Sequence, residues 1–346
     1  MDLEKFLKEV TRLPGVPGYE GGVNGYIAET FRPLVDEVTT DALENVIARM
    51  GDKGIKVMIS AHQDEIGLMV TKIEDDGCIR FWRNGGVDPR ILPGMEVEVQ
   101  GPKGPVYGVI GAKPPHLLSA EDRNSAVKFD NLYIDIGYTA EQVNELVRIG
   151  DPIVMLAPPV KLSGGCMACK TMDDRASVGS MLVAAELMNR MRTEAQVHFV
   201  SSSQEEVGCK GALTAAYSIN PDFAIAIDVT HGEGPGTGKW EAFPLDKVVI
   251  TCGPNIHPAL QKIAEEVAQK NGVNYAVDVC GGHTGTDAWN IQIARGGIPT
   301  VLFSIPLRYM HTTVETLKLD TVREVGRLIA LFIDEVQRRW EEIKWY

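Results

Sequence analysis

The sequence predicts an α/β protein: a sheet covered by helices on both faces, interrupted by a small inserted β domain. Three observations carry that expectation. Apolar strand-like runs alternate with helical patterns near the start and again through the second half, as they do where strands and helices form packed layers. Between the two stretches lie only short β-like runs separated by Gly, Pro and Asp turns. And 346 residues, 44% of them hydrophobic, exceed one ordinary core and suffice for two. Residues 1–68 and 164–346 are therefore expected to form one domain, and residues 69–163 the insertion.

Leu3, Phe6, Leu7, Val10 and Leu13 recur at helical spacing, and Pro14-Gly15 ends that first helix. A second helix is expected over about Val23 to Leu34. The apolar run Ile55 to Ala61 reads as a buried strand and ends at His62-Gln63-Asp64-Glu65. In the insertion, strands are expected at Ile79 to Trp82, Glu96 to Gln100, Val106 to Ile110, Leu132 to Ile136 and Ile153 to Leu156, with one helix at Ala140 to Val147. After Gly164-Gly165, strands are expected at Gln196 to Val200, Phe223 to Ile227, Val248 to Cys252 and Pro299 to Phe303. The helices of that half are expected at Arg175 to Met191, Pro258 to Asn271 and Leu319 to Lys344.

A net charge of -13 argues against nucleic acid, whose partners displace counterions with clustered Lys and Arg, and against an anionic membrane surface. Six cysteines in a chain this long are no disulfide framework. The amphipathic start is not a signal peptide, and no apolar run spans a bilayer. The expected location is the cytoplasm.

The acids and histidines fall at particular places. His62 and Asp64 follow one expected strand, Glu205 and Glu206 another. Asp228 closes Phe223 to Ile227, His311 lies just beyond Val301 to Ile305, and Asp173-Asp174 sits in a loop opening a long helix. Ligands of open α/β sheets bind at the carboxyl ends of strands. Several carboxylates converging there would repel one another and cost several kcal/mol each to bury unpaired. A pair of divalent cations removes that cost, and imidazoles beside carboxylates suit Zn²⁺, Co²⁺ or Mn²⁺ better than Mg²⁺ or Ca²⁺. At a spacing of two, Asp64 can bond the imidazole nitrogen of His62 that faces away from metal. Of the neighbours Glu205 and Glu206, one can bind metal while the other takes a proton.

These residues resemble the TET-type aminopeptidases, also described as deblocking or glutamyl aminopeptidases, di-metal enzymes of the co-catalytic zinc peptidase clan. The resemblance rests on Ala61 to Gly67, Met172-Asp173-Asp174-Arg175, Gln204 to Gly208, Asp228 to Gly232, Gly285-Thr286-Asp287-Ala288 and Arg308 to His311, with Asp88 to Gly94 inside the insertion. It spans essentially the whole chain. It implies the co-catalytic metallopeptidase fold with its mixed sheet, and two metals bridged by Asp173. His62 and Asp228 would complete one site, Glu206 and His311 the other. Glu205 would be the general base toward a metal-bridged water, with Asp64 supporting His62. It also implies that the inserted β domain pairs protomers and that the dimers form a tetrahedral dodecamer acting on peptides. Within the clan, Asp at position 228 goes with cleavage at the N-terminal end, and Glu there with carboxypeptidases. The rival readings are a carboxypeptidase or N-acyl amino-acid deacylase on the same scaffold, a glycosidase using a carboxylate pair, and a non-catalytic protein that keeps the fold. Cys166-x-x-Cys169 and His283 depart from the family pattern. The cysteines read as ordinary residues near a turn or as a redox-sensitive pair. His283 reads as a loop residue or a pocket contact, and His231 likewise as an outward loop residue or a contact to a substrate carbonyl.

Overall fold

The computed structural model describes residues 1–119, 125–191, 193–238 and 241–343. Helices α1 (Leu3–Val10) and α2 (Gly21–Phe31) lead into strands β1 (Glu37–Thr40), β2 (Val46–Met50) and β3 (Lys56–His62). Next come β4 (Gly67–Ile73), β5 (Ile79–Asn84), β6 (Glu96–Gly101), β7 (Gly104–Ala112), β8 (Leu132–Asp135), α3 (Ala140–Leu146) and β9 (Pro152–Met155). The chain continues through β10 (Val160–Lys161), β11 (Cys166–Cys169), α4 (Met172–Met191), β12 (Gln196–Ser202), α5 (Lys210–Ile219), β13 (Phe223–His231) and β14 (Val248–Cys252). It ends with α6 (Pro258–Lys270), β15 (Tyr275–Val279), α7 (Asp287–Gln292), β16 (Thr300–Leu307), β17 (Glu315–Lys318) and α8 (Leu319–Arg338).

One eight-stranded sheet runs in the order β1-β2-β12-β3-β13-β16-β14-β15. Its four central strands, β12, β3, β13 and β16, are mutually parallel, while β2 pairs antiparallel to β12 and β14 antiparallel to β16. The sheet is therefore mixed. Val57 to His62, Phe223 to Val229 and all of β16 are buried, which requires cover on both faces. Helices α1, α4, α6 and α8 pack with one another over the sheet, and α5 and α7 form a second pair against it.

Strands β4-β5-β8-β7-β6-β9 close into a barrel, which leaves no unpaired edge. It has its own apolar cluster, centred on Leu68, Val97, Val99, Ile134 and Ile153, distinct from the cluster of the large sheet. A third, three-stranded sheet runs β10-β11-β17.

The last helix is shorter than its apolar pattern suggested. It stops at Arg338 and a 3₁₀ turn covers Trp340–Glu342; Lys344, the expected end, lies outside the described residues. Among the described residues, no helix is long and apolar enough to cross a membrane.

Candidate metal centre

The parallel strands end on one edge of the sheet. Ser202 of β12 pairs with His62 of β3, and Ser60 pairs with Ala226, which places Asp228 level with His62. Glu205 and Glu206 follow in the turn between β12 and α5, and His311 lies in the loop between β16 and β17. Asp173 and Asp174 open α4 with non-helical backbone angles and a cis peptide between them.

Asp173 stands between the two histidines. Its Oδ1 lies 3.0 Å from His62 Nε2 and its Oδ2 3.4 Å from His311 Nε2. Glu206 Oε1 is 3.5 Å from the same His311 nitrogen. Donor atoms of His62, Asp173 and Glu206 lie within 4.8 Å of one another, and so do those of His62, Asp174 and Asp228. Glu205 approaches from one side, with Oε2 3.9 Å from His62 Nε2, while its Oε1 accepts the Cys209 thiol at 3.1 Å. All seven residues singled out in the sequence therefore meet in one place.

The part played by Asp64 is broader than its spacing suggested. His62 Nδ1 faces the Asp64 main-chain oxygen at 3.2 Å and its carboxylate at 3.4 Å. That carboxylate also accepts the backbone N–H groups of Glu205 (3.0 Å) and Glu206 (3.1 Å). One side chain thus fixes the turn carrying both glutamates relative to His62. Behind it, fully buried Arg175 donates to the Gln63 carbonyl at 2.9 Å.

Three acids and one turn near the centre were given no role from sequence. Asp174 accepts the His62 N–H at 3.3 Å, and its other oxygen is buried without a hydrogen-bond partner. Glu315 accepts the backbone N–H of both Asp173 (3.1 Å) and His311 (2.9 Å). Asp287 receives the hydroxyls of Ser60 (2.8 Å) and Ser202 (2.5 Å) beneath the centre. The Gly85-Gly86 turn after β5 reaches the site from the barrel. His311 Nδ1 lies 3.2 Å from the Gly86 carbonyl, and a Cβ on Gly86 would meet that ring at 2.5 Å. The acid pair Asp173-Asp174 and the four-residue step from His311 to Glu315 were available signals; Asp287 and the glycine turn gave none outside the family motif.

The electrostatics match a site built for cations. Burial, then the charge of Asp173, raises Glu206 to about 8, and burial raises Glu205 to about 7. Burial and then Asp174 push Asp228 far above its ordinary range, and burial does the same to Asp174 and Glu315. Asp173 is the exception: against the effect of burial, the two imidazoles hold it below. Bonding to Asp173 raises His311 to about 9. Without counter-ions these carboxylates can coexist only by keeping protons. Two imidazoles, converging carboxylates and the unpartnered buried oxygens of Asp174 and Asp287 fit divalent ions of the Zn²⁺, Co²⁺ or Mn²⁺ kind.

The centre opens into a cleft of about 570 Å³. His231, Asp278, His283, Thr284 and Met310 line its outer part. His283 stacks on Trp289 at 4.3 Å, and its Nδ1 accepts the Gly285 N–H at 2.8 Å. Both histidines read ambiguously from sequence thus face the cleft. Cys166 and Cys169 begin and end the short strand β11, directly after the 3₁₀ turn Ser163–Gly165, so they do lie near a turn. Three residues apart on a strand, they point to opposite faces, and both are free thiols, so the structure gives no support to a redox pair.

Residues 44–328 match the family model described as M42 glutamyl aminopeptidase. The lysyl aminopeptidase of Pyrococcus furiosus is 37% identical over 340 residues, covering 96% of this chain and 97% of the relative. A TET aminopeptidase from a marine sediment archaeon of the Thaumarchaeota superposes with a TM-score of 0.91 at 31% identity, over 96% of this chain and 95% of that one. The Pyrococcus horikoshii TET1 peptidase, described as assembling into a tetrahedron or a large octahedral shell, gives 0.86 at 34% identity, over 96% and 99%.

Proposed function

The chain belongs to the M42 glutamyl aminopeptidase family and is an oligopeptide aminopeptidase, and we propose that its reaction is run by the cluster at the carboxyl edge of the large sheet. The family is metal-dependent. Two divalent ions, Zn²⁺, Co²⁺ or Mn²⁺, would be held with Asp173 shared between them. His62 and Asp228 would complete one site, and Glu206 and His311 the other. The observation that carries this reading is that the two oxygens of Asp173 face two different histidines. The Asp174 carboxylate, one oxygen of which has no hydrogen-bond partner, stands beside His62 and Asp228 and would serve the first ion.

When bound, the ions supply Lewis acidity to the scissile carbonyl and acidify the attacking water. Glu205 is the general base. Its Oε2 is turned toward the centre, takes the proton and returns it to the leaving amine, while the Cys209 thiol holds the other oxygen. Asp64 keeps Glu205 and Glu206 in register with His62. The remaining acids of the cleft offer partners to the free α-amino group of a peptide. By the family resemblance, Asp at position 228 implies attack at that end and not a carboxypeptidase or deacylase.

Residues 69–163, which hold most of the barrel, are proposed to pair two protomers, and such dimers to build a tetrahedral dodecamer like the one described for the Pyrococcus horikoshii protein. Six free cysteines suit the reducing cytoplasm. The test compares N-free and N-acetylated forms of one peptide on metal-loaded enzyme. Only the free form is expected to be cleaved; cleavage of the blocked form would favour a deacylase or carboxypeptidase.

A further inference from the structure

The outer wall of the cleft contains one acid that the catalytic assignment leaves idle. Asp278 sits on β15, the edge strand of the large sheet, and lines the cleft together with His231, His283 and Met310. Strand alternation there is inverted. Val277 and Val279 point outward, Val279 with 77% exposure, while the carboxylate between them is half-buried on the cleft side. An edge strand normally turns its apolar residues inward and its charges out. The reversal makes sense if the inward carboxylate meets a polar partner. Its pairing neighbour across β14 is Thr251, buried with an unpartnered hydroxyl oxygen, so no protein cation approaches from that strand. Among the described residues lining the cleft there is no Lys or Arg. His231 is the basic group beside the carboxylate.

A substrate whose amino group reaches the metal centre lies in the cleft that this wall bounds. We propose that Asp278 selects substrates whose N-terminal side chain is cationic, Lys or Arg, over apolar ones, and disfavours N-terminal Asp and Glu. The inference rests on the cleft being the catalytic one. The energetic logic is that of a partly desolvated carboxylate. It rewards a cation that reaches it, and an acidic side chain in its place meets like charge.

The test measures kcat/KM on metal-loaded enzyme for Lys, Arg, Leu and Glu aminoacyl substrates, for the wild type and for Asp278→Asn, Asp278→Lys and Glu205→Gln. The wild type is expected to prefer Lys and Arg and to be slowest on Glu. Asp278→Asn is expected to lower the Lys-to-Leu ratio about 10- to 100-fold. Asp278→Lys is expected to turn the Lys-to-Glu preference over. A wild type that prefers Leu or Glu overturns the proposal, as does an Asp278→Asn variant that loses all four substrates in equal measure. Full activity of Glu205→Gln would instead overturn the assignment of the cleft as catalytic, and the selectivity proposal with it.

Discussion

The two histidines of the centre are held in opposite ways. His62 ends a buried strand, has a side chain only 2% exposed, and is fixed by neighbours two residues away in Asp64. His311 stands in a loop with left-handed backbone (φ 59°) and a side chain 35% exposed. It is held by Glu315 and by the Gly86 carbonyl 225 residues distant in sequence. One half of the centre is thus set by the sheet itself. The other depends on long-range contacts between loops, which have more ways to relax. The His311 half should release its ion first.

The largest effect should come from the residue both halves share. Asp173→Ala is expected to bind neither ion and to lose all activity; metal analysis finding two ions retained would break the division into halves at its root. Glu205→Gln tests a residue outside both halves. It should keep both ions while turnover falls about 10² to 10⁴-fold, and an empty site would show that Glu205 is a ligand.

Glu315→Gln sharpens the contrast between the halves. A Gln presents one acceptor oxygen where the carboxylate serves two backbone N–H groups. Metal affinity should drop about 10- to 100-fold at the His311 half, seen as one ion lost before the other in a chelator titration. Equal weakening of both ions would contradict the comparison.

The smallest effect concerns pH. In the metal-free protein Glu205 and Glu206 are raised from 4.5 to about 7 and about 8, and His311 from 6.5 to about 9. The folded state then binds protons that the unfolded chain has already released. That contribution is complete below pH 4.5, wanes as pH rises through 7 and 8, and is gone above 9. Metal-free protein should therefore lose thermal stability from pH 5 to 9. Saturating metal should flatten the dependence, because bound ions replace the protons. Thermal unfolding with and without chelator checks this, and metal-free stability that rose with pH would have the sign wrong.

The main strands and helices were legible because burial on both faces leaves apolar runs such as Phe223 to Ile227, and the runs of β3 and β13 end in the histidine and acid they deliver. The overlooked elements are those with no such signature. Strand β1 reads Glu-Val-Thr-Thr and is mostly exposed, α7 is six residues long, and β11 is only four. Within the site, six of the seven named residues close or follow a periodic segment, and Asp173 opens one. Glu315 and Asp287 act through backbone N–H groups and serine hydroxyls, and that role depends on which loops meet. The Gly86 contact joins a turn of the barrel to a loop near the other end of the chain, a proximity no local pattern encodes.

That glycine turn bears on how such a protein can change over generations. A barrel that only joined subunits could be exchanged, enlarged or deleted without touching catalysis. Here the barrel's own turn seats His311, and the space at Gly86 admits no side chain. Lineages that reshape the barrel must therefore preserve one small bend or rebuild half the centre. On the proposed pairing role of the barrel, assembly and chemistry are inherited together.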